Sequence, residues 1–245
     1  MTSTAPYHAM FSGAIGKDYE MLKLLSPLAV EMSRLVGVTV SEFPKPPGQT
    51  LHVVELGGGT GITTLSILAA REALHVLSID NEPVMQNQAK QNLQAWQQQG
   101  KLGFCSDDAL TALQALPSAS VDVVASAYTL HNFPNTYRQQ VIAEIFRVLV
   151  PGGLFVNGDR YALDDVDLHT RTTQAEVSGY FRILVAANKL DLLEHWIVHL
   201  FSDESANHIM RETLALEDLA AVGFTSICLS QRCQVNALVT AHKPH

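Results

Sequence analysis

The stretch VVELGGGTGITTLS, residues 53–66, decides the fold of this 245-residue chain. It places an acid, Glu55, shortly before four glycines that fall within five positions, and an apolar segment follows them. Glycine lets the backbone turn sharply, and its missing Cβ leaves room for a ligand against the main chain. The helix start that follows supplies free N–H donors. The stretch therefore predicts a buried strand, a ligand-binding loop and a helix.

Two familiar glycine-loop signatures do not fit this stretch. A dinucleotide-binding fingerprint needs glycine at the sixth position counted from Gly57, where the chain has Ile62. No Gly-Lys-Ser/Thr sequence follows, which excludes a P-loop. The pattern is instead E-x-G-x-G-x-G, and Asp80 closes the next apolar run 19 residues after Gly61. An acid at that place can accept hydrogen bonds from both hydroxyls of a ribose.

Short β-branched runs recur along the chain and alternate with helical patterns. Strands that alternate with helices imply right-handed crossovers and a parallel sheet that is covered on both faces. The pattern therefore predicts a doubly wound α/β fold. The predicted strands are residues 51–55, 74–79, 102–105, 121–127, 154–157, 225–229 and 235–240.

Two of the predicted helices carry clear end signals. The glutamine-rich segment that follows the second strand has its apolar residues on one face, with Asn81 as cap, Pro83 in the first turn and Gly100 at the end. Its glutamines form the solvated face. Near the C-terminus, Thr213 is predicted to cap a helix that Gly223 ends.

The chain divides into four predicted segments. The turn-rich sequence EFPKPPGQ separates an N-terminal helical cap segment, 1–49, from an α/β core at 50–159. Residues 160–212 are helical in pattern and are predicted to cover the carboxyl ends of the strands, where open α/β sheets bind ligands. Residues 213–245 supply the last helix and the last two strands of the core.

Composition excludes several classes of protein. The longest apolar runs are broken by charges or by Pro-Gly, so none reaches the roughly 18–20 residues of a membrane span. The first residues, MTSTAPYHAMF, lack a basic start and an apolar core, which favours a cytoplasmic protein over a secreted one. Three cysteines are too few and too scattered for a zinc site or a disulfide framework. A net charge of −8 makes nucleic acid a weaker guess than a small molecule.

The motifs between residues 51 and 159 resemble those of class I S-adenosylmethionine-dependent methyltransferases. The matching sequences are VVELGGGTG, LSIDNEP, SDDAL, VDVVASAYTLHNFP and LVPGGL, in the order and spacing of that family. The resemblance implies S-adenosyl-L-methionine as cofactor and a small-molecule methyl acceptor. It also implies a Rossmann-like, mostly parallel sheet of seven strands with a C-terminal antiparallel strand, to which this chain adds the helical cap insertion.

The resemblance assigns cofactor-binding roles residue by residue. Residues at the end of the first strand would border the methionine part and the ribose, and Asp80 would hold the ribose hydroxyls. Asp108, with the backbone of Ala109, would meet the adenine, although Asp107 next to it competes for this role. Residues that close the fourth strand would line the methionine end and the reacting sulfonium. The residues at these two strand ends are Glu55, Gly57, Gly59, Gly61, Ser126, Ala127 and Tyr128. Gly58 stands where many members of the family have cysteine, a change expected to leave binding undisturbed.

Each of these acids and the tyrosine also has an ordinary structural interpretation. Asp80 could cap the helix that Pro83 opens, Asp107 and Asp108 could be surface turn residues, and Tyr128 could pack at a strand end.

Three residues are candidates for catalysis. Methyl transfer from a sulfonium mainly requires alignment of the acceptor and exclusion of water, and a base helps only where the acceptor still carries its proton. His131 and Asp159 fall at the ligand end of the sheet and could act on that proton, and Tyr128 would face the reacting centre. His131 could equally be a pocket-wall residue. His195 and His199 would share a helical face, but no carboxylate or third ligand is identified, so no metal is expected.

The layout beyond the fifth strand is similar to the carboxy-S-adenosylmethionine synthase branch, with Tyr19 and Phe11 expected to close over the cofactor. An enzyme of that branch must bind an extra carboxylate, most naturally with arginine. Residues 183–210 contain no arginine, so the likeness is taken to concern architecture. A carboxylated cofactor used in tRNA modification and a non-catalytic S-adenosylmethionine-binding module remain as alternatives. The apolar cap helices with Trp196 could instead bury their surface in a homodimer.

Overall fold

The computed structural model describes residues 27–245. Phe11 and Tyr19, which were predicted to close over the cofactor, and most of the predicted cap segment 1–49 lie outside the described residues. No helix in the described part is long and apolar enough to cross a membrane.

A seven-stranded sheet forms the centre of the molecule, with the strand order β3-β2-β1-β4-β5-β7-β6. The first five strands along the chain run parallel, and β7 lies antiparallel between β5 and β6. This confirms the predicted Rossmann-like fold with an antiparallel C-terminal strand. The strands are β1 Leu51–Leu56, β2 Leu74–Ile79, β3 Leu102–Cys105, β4 Val121–Ala127, β5 Leu149–Arg160, β6 Thr225–Cys233 and β7 Asn236–His242.

Helices cover both faces of the sheet, and each face has its own apolar core. The alternation of strand and helix along residues 51–160 follows the sequence pattern, since buried strands need apolar cover on both sides. The helices are α1 Pro27–Ser41, α2 Ile62–Ala70, α3 Pro83–Asn92, α4 Gln94–Gln98, α5 Ala109–Ala115, α6 Asn135–Val148, α7 Val166–Ala186, α8 Leu190–Asp203 and α9 Glu212–Val222. A short 3₁₀ turn, Leu130–Asn132, follows β4.

Three local predictions were wrong in detail. The glutamine-rich helix is interrupted at Leu93, and its cap is Glu82, whose side chain accepts a hydrogen bond from the Val84 amide. Thr213 lies inside α9 rather than capping it, because its amide and hydroxyl bond to Asp164. Gly223 does end α9, with a left-handed φ of 113°.

Helices α7 and α8 form the predicted helical region beyond β5 and have an apolar cluster of their own. Its buried residues are Tyr180, Leu184, Leu192, Leu193, Trp196 and Leu200. Ion pairs join this helix pair to the strand ends: Arg160 at the end of β5 pairs with Glu176 of α7. The helix pair thus lies beside the carboxyl ends of the central strands. Its treatment as a separate segment, 160–212, stays a prediction.

Sheet order also fixes where a ligand can bind. Strand β1 pairs with β2 on one side and β4 on the other, so the chain winds in opposite directions from β1. At such a switch point the loops that follow the two central strands separate and leave a crevice. In this protein those loops are the glycine stretch after β1 and residues 128–134 after β4.

Candidate functional site

The glycine loop after β1 runs too close to its neighbours to carry side chains at two positions. Gly57 has a φ of 70°, and a Cβ built there would lie 1.9 Å from Thr129 Oγ1. A Cβ on Gly58 would lie 2.0 Å from Ser78 Oγ, so Ser78 occupies the space that a side chain at position 58 would need. The loop is held in this path because the Gly57 and Gly58 amides both donate to the Ile79 carbonyl.

Asp80 joins the glycine loop to the start of α3. Its Oδ2 accepts a hydrogen bond from the Gly59 amide at 2.7 Å, and its Oδ1 accepts one from the Glu82 amide at 2.8 Å. Each carboxylate oxygen can accept more than one hydrogen bond. These contacts therefore fix the direction of the carboxylate at the edge of the cleft that opens over the loop.

A large cleft opens over this loop, with about 1020 Å³ of empty space. Among the residues assigned to the cofactor or the reacting centre from sequence, Gly57, Gly59, Asp80, Ala109 and Tyr128 line it, as do Ala29 and Ser33 of α1, Asn81, Met85, Asp107, Asn132 and Phe133. The structure thus brings together predicted binding residues that lie at the ends of β1, β2, β3 and β4. Tyr19 lies outside the described residues.

Other predicted binding residues lie behind the cleft wall. Ser126 is fully buried and donates to the Leu56 carbonyl, and Gly61 packs against Leu93. Asp108 caps α5: its Oδ1 accepts hydrogen bonds from the Leu110 and Thr111 amides. The tyrosine hydroxyl of Tyr137 also donates to Asp108. Asp107, by contrast, lines the cleft, and which of the two acids meets the adenine stays a prediction.

Glu55 is completely buried beneath the glycine loop. Its Oε2 accepts a hydrogen bond from Thr64 Oγ1 at 2.6 Å, whereas Oε1 has no hydrogen-bond partner within residues 27–245. Burial raises the pKa of this carboxyl to about 7, and the nearby charge of Asp80 adds to the rise. Glu55 therefore supports the loop from below, outside the cleft lining.

Glu55 should make the stability of the cofactor-free protein depend on pH. Its raised pKa means that the folded state holds a proton that the unfolded chain releases near pH 4.5. The contribution to the unfolding free energy is complete below pH 4.5 and is lost as pH rises to about 7. The side chain of Glu55→Gln cannot ionise, so the variant does not lose this stability as pH rises. Between pH 5 and pH 8 its unfolding free energy should therefore rise by about 3 kcal/mol relative to that of the native protein. Urea unfolding across this range measures the difference, and parallel curves for the two proteins would contradict it.

A second cavity, with about 480 Å³ of empty space, lies between the strand ends and helices α7 and α8. It shares Ala29 and Tyr128 with the cleft, so these two residues form the boundary between the two spaces. The remaining lining residues are His131, Arg160, Glu176, Tyr180, Trp196, His199, Leu200 and Asp203.

Tyr128 is held at this boundary in an unusual conformation. Its φ is 52°, which is uncommon for a bulky residue and is found most often at functional sites. Its amide donates to the Gly158 carbonyl at 3.0 Å, and its hydroxyl donates to Asn236 Oδ1. Both ends of the residue are thereby anchored to the β5–β7 side of the sheet.

His131 and Asp159 form a buried pair on the cavity wall. His131 Nδ1 lies 2.5 Å from Asp159 Oδ1, which turns Nε2 of the ring away from β5. Asp159 also accepts hydrogen bonds from the amides of Leu130, His131 and Arg160. Burial works against ionisation, but the charge and hydrogen bonds of its neighbours, led by His131, lower the pKa of Asp159 below its usual value. The structure thus brings together two of the residues predicted to be catalytic.

Two further titratable groups face His131 from α8. Asp203 Oδ2 lies 3.8 Å from His131 Nε2 and 3.5 Å from His199 Nε2. Burial lowers the pKa of His199 to about 3 and raises the pKa of Asp203 to about 6. His195 is exposed and does not line the second cavity, whereas His199 is buried and does line it. The residue that shares the buried face with His199 is Asp203, four positions later, a spacing the sequence contained.

Arg160 completes the charged wall of the second cavity. Its guanidinium binds both oxygens of Glu176, at 2.7 and 3.0 Å, and approaches Glu204 at 3.5 Å. Glu204 in turn lies 2.6 Å from His169 Nε2. Because the His169 Nδ1 accepts a hydrogen bond from the Leu163 amide, its Nε2 carries the proton that Glu204 accepts. Sequence reasoning missed Arg160, Glu176 and Asp203, since their partners come from distant segments.

Comparison with known proteins defines the class of the core. Residues 53–153 match the family described as a methyltransferase domain. The chain is 37% identical to a demethylmenaquinone methyltransferase of Leptospira interrogans over 109 residues, 44% of this chain and 43% of that protein. It is 26% identical to a carboxy-S-adenosyl-L-methionine synthase of Actinobacillus succinogenes over 81% of this chain and 78% of that protein. The chain thus spans less than half the length of the first of these relatives.

Solved structures show the same fold. The CurJ carbon methyltransferase superposes with a TM-score of 0.66 at 18% identity, covering 95% of this chain and 60% of that one. Residues 53–153 thus match a methyltransferase domain in sequence, and the solved structures share its fold, which confirms the resemblance stated from sequence. The cofactor that this class implies is S-adenosyl-L-methionine.

Two structural observations indicate that the cleft can accommodate that cofactor. A Cβ built on Gly59 would come no nearer to another atom than 3.5 Å, to the Met85 methyl, so a side chain there would meet no close neighbour. The Asp80 carboxylate stands beside that space in a fixed orientation. A nucleoside can therefore lie against bare main chain with its ribose next to an acid.

Proposed function

We propose that the protein transfers a methyl group from S-adenosylmethionine to a small molecule bound in the second cavity. The observation that carries the proposal is that the cleft and the second cavity meet at Tyr128 and Ala29. A donor in the cleft and an acceptor in the cavity would then face each other across this boundary. The cofactor supplies a methyl group already activated by a sulfonium. In the in-line displacement, a bond from acceptor to methyl forms while the sulfur–methyl bond breaks.

Some residues of this chain would bind the cofactor, and others would align the acceptor. Asp80 and the backbone of Gly57 and Gly59 would bind the nucleoside, and Tyr128 would line the passage between the two spaces. His131, oriented by Asp159, presents its Nε2 toward the acceptor side. There it would contact the acceptor and take its proton where the acceptor is a hydroxyl or an ammonium group.

The form of the second cavity supports a small acceptor. Side chains from the strand ends and from helices α7 and α8 enclose it, which leaves room for a compact molecule. Tyr180, Trp196 and Leu200 give it apolar surface, while Arg160, Glu176 and Asp203 give it charge. Such a wall favours a compact acceptor with an apolar body and polar substituents.

A matched pair of substitutions on α8 tests the location of the acceptor. Leu200 is buried against the cavity and Phe201, the next residue, is exposed. Leu200→Trp should fill part of the cavity and lower turnover at least about 10-fold, because a displaced acceptor loses its alignment. Phe201→Trp should leave turnover unchanged. Turnover is measured as formation of S-adenosylhomocysteine with a metabolite library, and methylated products are identified by mass spectrometry.

Calorimetry with S-adenosylhomocysteine supplies the control. Both variants should bind it within about 2-fold of the native protein, since position 200 does not line the cleft. Equal loss of turnover in both variants would place the acceptor elsewhere. No saturable S-adenosylhomocysteine binding by the native protein would overturn the proposed function itself, and binding without any turnover would favour the non-catalytic module.

A second candidate is an enzyme that makes or uses a carboxylated S-adenosylmethionine. It is favoured by the carboxy-S-adenosylmethionine synthase relative, whose match covers 81% of this chain. An arginine does line the second cavity, but both guanidinium edges of Arg160 are taken up by Glu176 and Glu204. Mass spectrometry of the nucleotide that co-purifies with the protein separates the candidates, since a carboxylated cofactor is heavier by its carboxyl group.

The outer face of the cap helices supports the proposal of a homodimer. Large apolar side chains are exposed there, namely Phe181, Val185, Leu190, Val198 and Phe201. Exposed apolar surface of this kind is typical of association sites.

A further inference from the structure

We infer that His131, His199 and Asp203 bind one divalent transition-metal ion of the Zn²⁺ type. Their ligand atoms lie within 4.8 Å of one another, and the three residues are only 4%, 8% and 7% exposed. The site is built from two separate elements, the 3₁₀ turn after β4 and the last turns of α8. The inference of a metal site depends only on the geometry of these three residues. The effect of the metal on an acceptor rests on the proposed function.

The distances fit a shared cation better than direct hydrogen bonds. Asp203 Oδ2 lies 3.5 Å from His199 Nε2 and 3.8 Å from His131 Nε2. A good N–H···O bond spans about 2.7–3.2 Å. Zinc holds nitrogen and oxygen ligands at about 2.0–2.2 Å, so ligand atoms around it stand roughly 3.3–3.5 Å apart. Small side-chain movements would therefore complete the coordination.

The neighbours of the three residues orient them for this purpose. Asp159 Oδ1 lies 2.5 Å from His131 Nδ1 and so directs Nε2 of the same ring toward Asp203. Histidine ligands of metals are commonly held by such a carboxylate on the other ring nitrogen. His199 and Asp203 stand four positions apart on α8, which places both side chains on one face of the helix.

The local charge also favours a cation. Four carboxylates lie around the site, those of Asp159, Glu176, Asp203 and Glu204, and the Arg160 guanidinium lines the same cavity and pairs with two of them. The two oxygens of Glu176 bind the two terminal nitrogens of that guanidinium. Asp203 Oδ1 is buried and has no hydrogen-bond partner in the described part of the chain. A divalent ion would compensate the charge of a carboxylate buried in this position.

The ligand types select the class of metal. Imidazole nitrogens suit Zn²⁺, Fe²⁺ and Co²⁺, whereas Mg²⁺ and Ca²⁺ prefer oxygen ligands alone. Three protein ligands leave at least one coordination position, as in catalytic zinc sites. Because the three residues line the second cavity, that position faces the space assigned to the acceptor. A metal-bound acceptor oxygen would lose its proton more readily, and His131 would then serve as a ligand instead of a base.

Metal titration of the full chain tests the inference. Protein freed of metal with a chelator is titrated with ZnCl₂ against a fluorescent zinc indicator, and with CoCl₂ while the visible absorption is recorded. The native protein should bind one equivalent of Zn²⁺, and Co²⁺ should give the absorption bands of a nitrogen-ligated ion. His199→Ala and Asp203→Asn should each weaken binding at least about 30-fold. His195→Ala, an exposed histidine on the same helix, should bind within about 2-fold of the native protein.

The native protein alone can overturn the inference, so it does not depend on the variants folding. No saturable Zn²⁺ binding by the native chain would refute the site, as would equal loss in His195→Ala and His199→Ala. S-adenosylhomocysteine calorimetry on each variant reports whether the core is intact. Metal binding without S-adenosylhomocysteine binding would refute the proposed function and leave the metal site standing.

Discussion

Asp80→Asn is expected to weaken S-adenosylhomocysteine binding by at least about 100-fold. The carboxylate would accept hydrogen bonds from two ribose hydroxyls, and hydrogen bonds to a charged group contribute about 1.5–3 kcal/mol each. The same carboxylate accepts the Gly59 and Glu82 amides, so an asparagine NH₂ must also face one of these donors. Loss of about 3 kcal/mol corresponds to roughly 100-fold in the dissociation constant. Isothermal titration calorimetry at fixed salt measures it.

Two neighbouring acids provide matched controls for Asp80. Asp107 lines the cleft, so Asp107→Asn should weaken binding by about 10-fold, the effect of one hydrogen bond to a charged group. Asp108 caps α5 behind the wall, so Asp108→Asn should change affinity less than Asp107→Asn. Native affinity in Asp80→Asn would show that the acid only caps the turn before α3. A larger effect at Asp108 than at Asp107 would restore the assignment made from sequence.

Local sequence signals were sufficient for the sheet and for the cofactor side of the site. Parallel strands bring their carboxyl ends to one edge, so residues that close consecutive strands must lie near one another. That rule alone places Asp80 beside Gly59, although 21 positions separate them. It also places Tyr128 and Asp159 at the same edge. The helix ends were harder, because Glu82 and Asp108 compete with adjacent polar residues for the capping role.

The second cavity could not be predicted in the same way. Asp203 meets His131, and Glu176 meets Arg160, only because the α7–α8 pair lies beside β5. Nothing in the periodicity of those helices gives their angle to the sheet. The sequence contained the i, i+4 spacing of His199 and Asp203, but without the distant His131 it was one helical pair among several. The space beside Gly58 likewise depends on Ser78, which belongs to another strand.

Asp159→Asn is expected to lower the unfolding free energy by about 3–5 kcal/mol, a large fraction of the stability of a typical domain. Asp159 is completely buried, and both of its oxygens face donors. Oδ1 lies 2.5 Å from His131 Nδ1 and accepts the Arg160 amide; Oδ2 accepts the Leu130 amide at 3.0 Å. An asparagine keeps the shape but turns its NH₂ toward one of these groups of donors, which leaves them buried and unsatisfied.

A surface acid shows whether this cost comes from burial. Asp165 caps α7 from an exposed position, where its side chain accepts only the Leu168 amide among the contacts of the described residues. Asp165→Ala should therefore cost about 1 kcal/mol, as expected for the loss of a helix cap. Urea unfolding of both variants, in chelator and without cofactor, keeps bound metal from contributing. A cost below about 1 kcal/mol for Asp159→Asn would mean that His131 and the turn at 130–132 do not depend on this carboxylate. The pair would then lose its role in directing His131 Nε2 into the second cavity.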